Sequence, residues 1–239
     1  MSDSQIFAHR GASGHYFENT MRAFWGAVQK GADGIELDVQ QTKDGQLVVI
    51  HDNELVRLAG IDQRIDQLTS QELQHIKIGK SGYRRMFGHS IPALFDVVSF
   101  CAEHNLALNV ELKETVYGQA AVLEQILHYV EPLSAVHLSS FDYETMRLVK
   151  DLDRNVETAL LLRKKSVDWQ NLASYDVDAF HFHKRLWKDP YKSHLIESGK
   201  TLRMYGITGT ESFLSETPEV TGWITDYPKR VRKKIKGPR

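Results

Sequence analysis

Two spacings of apolar residues alternate along the chain and predict a repeated pattern of strands and helices. Short apolar or alternating segments predict strands at residues 5–8, 35–40, 47–50, 107–113, 136–140, 156–162, 179–183, 202–207 and 223–225. Apolar residues at helical spacing predict helices at residues 20–30, 91–104, 119–130 and 143–152, with Asn19 and Asp142 as caps of the first and last of these. This alternation is typical of parallel βα units.

Two parts of the pattern depart from a simple repeat. There are nine strand candidates, whereas a closed βα barrel has eight, and residues 41–45 are too few for a crossover helix. Either the strands at 35–40 and 47–50 form a local hairpin, or one late candidate lies outside the barrel. Segment 53–90 contains one clear helix, which begins at a capping-box pattern near Thr69, and then a Gly-, Lys- and Arg-rich stretch without periodicity. We interpret it as an insertion after the third strand.

The strand at 35–40 carries two carboxylates on one face. Glu36 and Asp38 alternate with apolar residues, and side chains two positions apart on a strand point the same way. Because an unpaired buried carboxylate costs several kcal/mol, a positive group is expected beside them. The turn at residues 43–45 then returns the chain to His51 and Asp52, so a histidine is expected close to both carboxylates.

Length and composition narrow the class of protein. At 239 residues the chain suits one barrel domain, 1–239, since such barrels need about 250 residues. A net charge of −1 argues against a nucleic-acid partner. The single cysteine and the absence of a secretory pattern at the start predict a cytoplasmic protein, and no apolar run is long enough for stable membrane insertion.

Polar side chains cluster at or just beyond the C-terminal halves of the first four predicted strands, where parallel barrels have their active sites. They are His9, Arg10, Glu36, Asp38, His51, Glu111 and Lys113. Three carboxylates offer hard oxygen ligands, which suit one divalent cation, Mg²⁺, Ca²⁺ or Mn²⁺, better than zinc. With that cation and two basic side chains the site carries a small positive charge, which suits a phosphodiester. Two histidines can serve as acid and base at neutral pH.

These residues stand within short motifs, which are His9-Arg10-Gly11, Glu18-Asn19-Thr20, Glu36-Leu37-Asp38, Thr42-Lys43-Asp44-Gly45 before His51-Asp52, Glu111-Leu112-Lys113, Ser139-Ser140-Phe141 and Ile224-Thr225-Asp226-Tyr227-Pro228. Together the motifs resemble those of the glycerophosphodiester phosphodiesterase family. They span nearly the whole chain in family order. The resemblance implies a TIM-type (β/α)8 barrel that hydrolyses a small glycerophosphodiester to an alcohol and glycerol 3-phosphate.

The resemblance also implies a role for each matching residue. Glu36, Asp38 and Glu111 would hold the metal, and His9 and His51 would be the general acid and base, in an order that the sequence leaves open. Arg10 and Lys113 would contact the phosphate, Glu18 and Asn19 would brace the loop after the first strand, and segment 53–90 would cap the site. A cyclic phosphate intermediate and direct attack by water are both compatible with this set.

Two other functions fit the same motifs. A lysophospholipase D-type enzyme would need an apolar groove, for which Tyr83, Met86 and Phe87 are the only hints, and a non-catalytic phosphodiester-binding barrel would be expected to lack some of the carboxylates or histidines. The chain departs from the family at Met204–Thr208 and at His181-Phe182-His183, which affects the expected alcohol specificity. We expect one of His181 and His183 to be buried in a structural role and the other to be solvated, rather than either to be catalytic. We expect the basic run from Lys229 to Arg239 to be the solvated end of a last helix.

Overall fold

The computed structural model describes residues 4–82 and 87–236, and nine strands lie in those ranges. They are β1 (Gln5–His9), β2 (Gly34–Gln41), β3 (Leu47–Val49), β4 (Ala107–Leu112), β5 (Val136–Ser140), β6 (Glu157–Leu162), β7 (Ala179–His183), β8 (Thr201–Ile207) and β9 (Val220–Thr225). The predicted strands therefore all exist, with ends that differ by at most three residues.

Eight of these strands close into a barrel. The order β1-β9-β8-β7-β6-β5-β4-β2 is parallel throughout, and β1 also pairs with β2, so the sheet has no edge along this path. Among the described strands β3 pairs with β2 alone, in antiparallel orientation, with Val39 opposite Val49. The predicted TIM-type barrel is confirmed, and the ninth strand is explained by a local hairpin rather than by a late strand outside the barrel.

Helices cover the outside of the barrel. Within the described ranges they are α1 (Met21–Gln29), α2 (Val56–Ala59), α3 (Ser70–Leu73), α4 (Leu94–Glu103), α5 (Ala120–Val130), α6 (Tyr143–Leu152), α7 (Tyr191–Glu197) and α8 (Pro228–Lys236). No helix among these residues is long and apolar enough to cross a membrane. Helix α7 was not predicted, and a short 3₁₀ segment, Trp169–Ser174, lies within the connection between β6 and β7.

Side-chain capping explains the starts of three of these helices, with one correction. Asp142 accepts a hydrogen bond from the backbone N–H of Thr145, and Thr69 forms a full capping box with Glu72, as predicted. The predicted cap Asn19 is wrong: Thr20 caps α1, by accepting from the backbone N–H of Ala23. Asn19 precedes the helix with a φ of 51° and directs its amide to Asp38 instead. A residue that looked like a cap therefore belongs to the site.

The last helix agrees with the interpretation of the basic run as far as the structure describes it. Helix α8 buries Val231, and Arg232 binds the Asp33 carboxylate at 2.5 Å, which ties the helix to the start of β2. Residues 237–239 of the run lie outside the described residues.

Segment 53–90 lies between β3 and α4 and has its own small apolar cluster, which packs on the β3 side of the barrel. Its members are Leu55, Leu58, Ile65, Leu68, Leu73 and Ile78, together with Val48 and Ile50. Ile78 and His89 exchange two backbone hydrogen bonds, at 2.9 and 2.8 Å, and so close the stretch 79–88 at its base. Phe87 is 67% exposed, whereas Tyr83 and Met86 lie outside the described residues.

Candidate active site

Strand register brings the predicted site residues to one end of the barrel. His9 at the end of β1 lies beside Glu36 on β2, and Asp38 lies beside Glu111 on β4. The backbone N–H of Ile50 donates to the Asp38 carbonyl at 2.9 Å, which places the following His51 at the same end. Parallel pairing therefore assembles residues that are up to 102 positions apart in the chain.

Three carboxylates form a compact buried cluster. Ligand oxygens of Glu36, Asp38 and Glu111 lie within 4.8 Å of one another, and the three residues are 2%, 0% and 7% exposed. Burial, together with the Asp38 and Glu111 charges, raises the pKa of Glu36 to about 7 although His9 opposes the shift. Among the described residues Glu36 Oε1 has no hydrogen-bond partner. An all-oxygen donor set with an unpartnered buried oxygen fits a hard divalent cation.

Asp38 is the most enclosed member of the cluster. Asn19 donates to Oδ2 at 2.8 Å, Arg10 Nε lies 3.0 Å from the same oxygen, and Lys113 Nζ lies 2.9 Å from Oδ1. Burial by itself would raise the pKa of Asp38, but the Arg10 and Lys113 charges outweigh burial and hold that pKa well below its usual range. Asp38 is therefore an anion near neutral pH, and it holds two cations beside the cavity.

Backbone geometry supports this arrangement. Arg10 and Asn19 have φ angles of 53° and 51°, in the left-handed region that residues other than glycine rarely adopt. The backbone N–H of Arg10 donates to Glu36 Oε2 at 2.8 Å, and the backbone N–H of Asn19 donates to the Arg10 carbonyl at 3.0 Å. Such strain at two positions joined by a backbone hydrogen bond is typical of functional sites, where surrounding contacts hold it in place.

His9 is oriented by a carboxylate from the opposite end of the chain. Its Nδ1 lies 2.7 Å from Asp226 Oδ1, and Ser13 donates to the same oxygen at 2.9 Å. Burial would lower the pKa of His9, but the Glu36 charge and the Asp226 hydrogen bond outweigh burial and raise it. Asp226 stands in one of the family motifs, yet sequence reasoning assigned it no role.

His51 has a similar partner. Its Nδ1 is hydrogen-bonded to Asp52 Oδ1, and Arg57 of α2 donates from Nε to Asp52 Oδ2. Arg57 also donates to both oxygens of Glu18, at 2.8 and 2.9 Å, and Glu18 accepts from Arg10 at 2.8 Å. In both histidines Nδ1 faces a carboxylate, and within the described ranges no carboxylate is paired with Nε2. Arg57 therefore links the loop that follows His9 and β1 to the loop that carries His51 after β3.

The predicted residues surround one cavity of about 270 Å³. His9, Arg10, Glu36, His51, Glu111 and Lys113 line it. Asp38, Glu18 and Asn19 do not, and instead hold residues that do. Sequence reasoning placed the strand ends that carry His181 and Tyr205 beside the pocket, and both residues line the cavity. It missed five further lining residues, which are Asn109, Phe141, Leu161, Arg163 and Ile224. Asn109 had a usable signal, because it shares the polar face of its strand with Glu111 and Lys113.

Comparisons with known proteins agree with this geometry. The model of the glycerophosphoryl diester phosphodiesterase family matches residues 9–229. A glycerophosphodiester phosphodiesterase of Bacillus altitudinis is 38% identical, over 96% of this chain and 97% of that protein, and the YqiK protein of Bacillus subtilis (strain 168) is 37% identical, over 98% and 99%. The solved structure of an Oleispira antarctica phosphodiesterase, in complex with the product sn-glycerol-3-phosphate, is 24% identical. It superposes with a TM-score of 0.85, over 98% of this chain and 97% of that chain, and so shares the fold.

Proposed function

The chain belongs to the glycerophosphoryl diester phosphodiesterase family and is therefore a phosphoric diester hydrolase, and we propose that it hydrolyses glycerophosphodiesters to an alcohol and glycerol 3-phosphate in a metal-dependent reaction. The observation that carries the proposal is one cavity that joins a buried carboxylate cluster to two carboxylate-paired histidines. A non-catalytic barrel would have no need of that combination. The single buried Cys101 supports a cytoplasmic location as part of the same proposal.

Glu36, Asp38 and Glu111 are the residues that would hold the cation, Mg²⁺, Ca²⁺ or Mn²⁺. When bound, a divalent cation supplies electrostatic stabilisation of the charge that develops on the phosphate oxygens. Arg10 and Lys113 contribute two further positive charges at the cavity wall. Burial by itself would lower the pKa of Arg10 and of Lys113. The nearby carboxylates, of which Asp38 has the largest effect, outweigh burial and raise both pKa values. Both side chains therefore remain protonated and can contact the phosphate.

His9 and His51 are the general acid and base in this proposal. One Nε2 takes the proton of the attacking hydroxyl, and the other ring donates its proton to the oxygen of the departing alcohol. If the attacking hydroxyl belongs to the substrate's glycerol, a cyclic phosphate forms and water then opens it, with the two rings in exchanged roles. Direct attack by water would use the same pair once. Asp226 and Asp52 keep each Nδ1 engaged, so that Nε2 carries out the proton transfer.

A substrate comparison tests the function directly. Purified protein should release glycerol 3-phosphate from glycerophosphocholine and glycerophosphoethanolamine when supplied with a divalent cation, and lysophospholipids should be poorer substrates. Glycerol 3-phosphate can be measured with a coupled assay, and released choline reports hydrolysis of lysophosphatidylcholine, whose other product is lysophosphatidic acid. No hydrolysis of any glycerophosphodiester, with each of the three cations supplied in turn, would contradict the proposed function.

Replacing Asp226 with Asn should reveal which proton His9 transfers. The substitution removes a charge and a hydrogen bond that raise the pKa of His9, so the limb of the pH–rate profile that reports His9 should move to lower pH. If His9 is the base, the acidic limb moves; if it is the acid, the alkaline limb moves. The measurement is kcat/KM from about pH 5 to 10.

Asp151→Asn is the matched control for that experiment, because Asp151 is an exposed carboxylate on α6. It should leave both limbs in place. An unchanged profile in Asp226→Asn would contradict a role of His9 in proton transfer, and a shift to higher pH would contradict the electrostatic argument.

We also propose that segment 53–90 caps the site and selects the alcohol of the substrate. A second cavity, of about 250 Å³, lies between this segment and the loop after β1 and is lined by His15, Tyr16, Phe17, Arg22, Gly79, Lys80, Phe87 and His89. Arg57 of the same segment binds the carboxylate partner of His51.

Shortening residues 79–88 should therefore change discrimination among alcohol groups while the barrel stays folded. Ile78 and His89 form a paired base, so a two-residue Asn-Gly turn can join them. We expect the ratio of kcat/KM for glycerophosphocholine and glycerophosphoethanolamine to change, with a cooperative thermal transition retained because surface insertions contribute little to a core. A shortened protein that does not fold would show that the segment belongs to the core, and an unchanged ratio would show that it does not select the alcohol.

A further inference from the structure

The floor of the active-site cavity contains a histidine that the mechanism does not use. His181 of β7 lines the cavity, yet the residue is 0% exposed. Neither Nδ1 nor Nε2 has a hydrogen-bond partner in the part of the chain that the structure describes. Buried polar groups in native proteins nearly always have a partner, so two such nitrogens on one ring call for an explanation.

The protein groups around His181 do not supply that partner. His137 meets it edge to face, with ring centroids 5.2 Å apart, and Leu161 on the neighbouring strand is apolar. Arg203, on the other neighbouring strand, directs its terminal nitrogens to the Glu157 carboxylate. The remaining direction is the cavity itself.

The charge state of His181 limits what can bind there. Burial and the nearby Arg203 charge hold the pKa of His181 well below its usual range, so the ring is neutral. A neutral imidazole has one N–H donor and one acceptor nitrogen. A hydroxyl group, which also donates and accepts, is its natural partner, whereas a carboxylate or phosphate can only accept.

Asn109 adds a second polar group at the same depth. It lies on β4 two residues before Glu111, about 7 Å further into the barrel on the same face. Ser139 donates to Asn109 Oδ1 at 2.8 Å, which fixes the amide and leaves its NH₂ group as a donor towards the cavity that Asn109 lines. The floor below the carboxylate cluster is thus polar, and neither side chain is charged.

We infer that His181 and Asn109 form a hydroxyl-binding floor that receives the free glycerol end of the substrate. This inference rests on the proposed function and states which end of the substrate lies deepest in the barrel. A fatty acyl chain in place of a glycerol hydroxyl would leave the imidazole and amide without partners, and a site built for a hydroxyl rejects analogues that lack it by large factors. A cavity of about 270 Å³ is also smaller than those that take drug-sized ligands.

Binding of two matched ligands tests the inference without turnover. sn-Glycerol 3-phosphate and propyl phosphate share a phosphate and a three-carbon chain, but only the first has hydroxyl groups. With the divalent cation present, calorimetry should show that the wild-type protein binds glycerol 3-phosphate at least about tenfold more tightly. His181→Phe should abolish most of that preference by weakening glycerol 3-phosphate alone, and His181→Gln, which keeps a donor and an acceptor, should restore part of it.

His137→Phe is the matched control, because His137 is a buried histidine that contacts His181 but does not line the cavity. It should keep the wild-type preference. If His181→Phe does not fold, Asn109→Leu applies the same test from the opposite wall. Equal affinities of the wild-type protein for glycerol 3-phosphate and propyl phosphate would overturn the inference, as would an unchanged preference in folded His181→Phe. Either result would mean that water, and not a substrate hydroxyl, hydrogen-bonds to the His181 ring.

Substrate discrimination separates this inference from the proposed function. The wild-type enzyme should prefer glycerophosphocholine over lysophosphatidylcholine by at least about 10² in kcat/KM, and His181→Phe should narrow that ratio. An enzyme that hydrolyses glycerophosphodiesters with a ratio unaffected by His181→Phe would leave the function standing and remove the hydroxyl-binding floor. An enzyme that hydrolyses none of them would instead contradict the function.

Discussion

Replacing Glu36 with Gln is expected to weaken binding of the divalent cation by more than about tenfold and to remove most of the activity with it. The substitution keeps the shape of the side chain but removes one of three negative charges that lie within 4.8 Å of one another. Glu36 is also the carboxylate whose Oε1 has no hydrogen-bond partner among the described residues. Calorimetric titration with Mg²⁺, Ca²⁺ and Mn²⁺ measures the affinity, and the coupled product assay measures the rate.

Chelation should have the same effect on the wild-type enzyme, and each cation added back in excess should be tested for recovery. Glu54→Gln is the matched control, since Glu54 is 64% exposed in its side chain and pairs with Arg64 outside the cavity. It should bind the cation as the wild-type protein does. Full activity in excess chelator would contradict metal dependence, and zinc as the best activator would contradict the assignment of a hard, all-oxygen site.

The two histidines should each be needed for turnover and not for binding. His9→Ala and His51→Ala should each lower kcat by at least about 10², the usual contribution of a general acid or base, with little change in affinity for glycerol 3-phosphate. The fall in kcat of the double variant should be smaller than the product of the two single falls, because the acid and the base act together in the same reaction. The wild-type rate should have a bell-shaped dependence on pH, whose two limbs report pKa values of the coupled pair rather than of either histidine alone.

His128→Ala is the control for these variants, because the His128 side chain is 78% exposed and lies on α5. It should keep wild-type kcat. Near-normal turnover in either single variant would make that histidine structural, and normal turnover in both would contradict the mechanism. His183 would then be the next candidate, since it ends β7 and is partly exposed.

The site has two layers, which differ in their exposure to solvent and in their proposed roles. Near the mouth of the barrel, His9 and His51 are about one-third exposed in their side chains and each faces a carboxylate. Deeper, the three clustered carboxylates and the floor residues are nearly inaccessible to solvent. Proton transfer needs groups that can exchange protons with water, whereas ion and hydroxyl binding are strongest where water is excluded.

Much of this organisation was predictable from short-range patterns. The alternation of residues on β2 and β4 predicts that Glu36, Asp38 and Glu111 lie on the same side of the sheet. The family motifs identified His9 and His51 as their neighbours. The capping residues Asp142 and Thr69 marked helix starts correctly. Such features depend on a few consecutive residues and on the two-residue period of a strand, so the sequence suffices for them.

Asn19 shows where local rules give the wrong answer. Its side chain is a good helix cap, but a buried carboxylate 19 positions away attracts it more strongly, and Thr20 takes over the cap. Closure of the barrel decided this outcome, because it brought Asp38 within 2.8 Å of the amide. Competition between a local and a distant partner depends on distances that a linear pattern does not contain.

By itself, then, the sequence determined the βα repeat, the carboxylate cluster and the family, because each depends on periodicity or on short motifs. Only the tertiary structure decided that β3 lies outside the barrel, that Asp226 orients His9 from 217 positions away and that Arg57 joins Asp52 to Glu18. It also decided that the buried His181 ring has no hydrogen-bond partner among the described residues. The physical reason is closure of the sheet. Pairing β1 with β9 sets distances between residues that share no sequence pattern, and those distances determine charge state and hydrogen bonding.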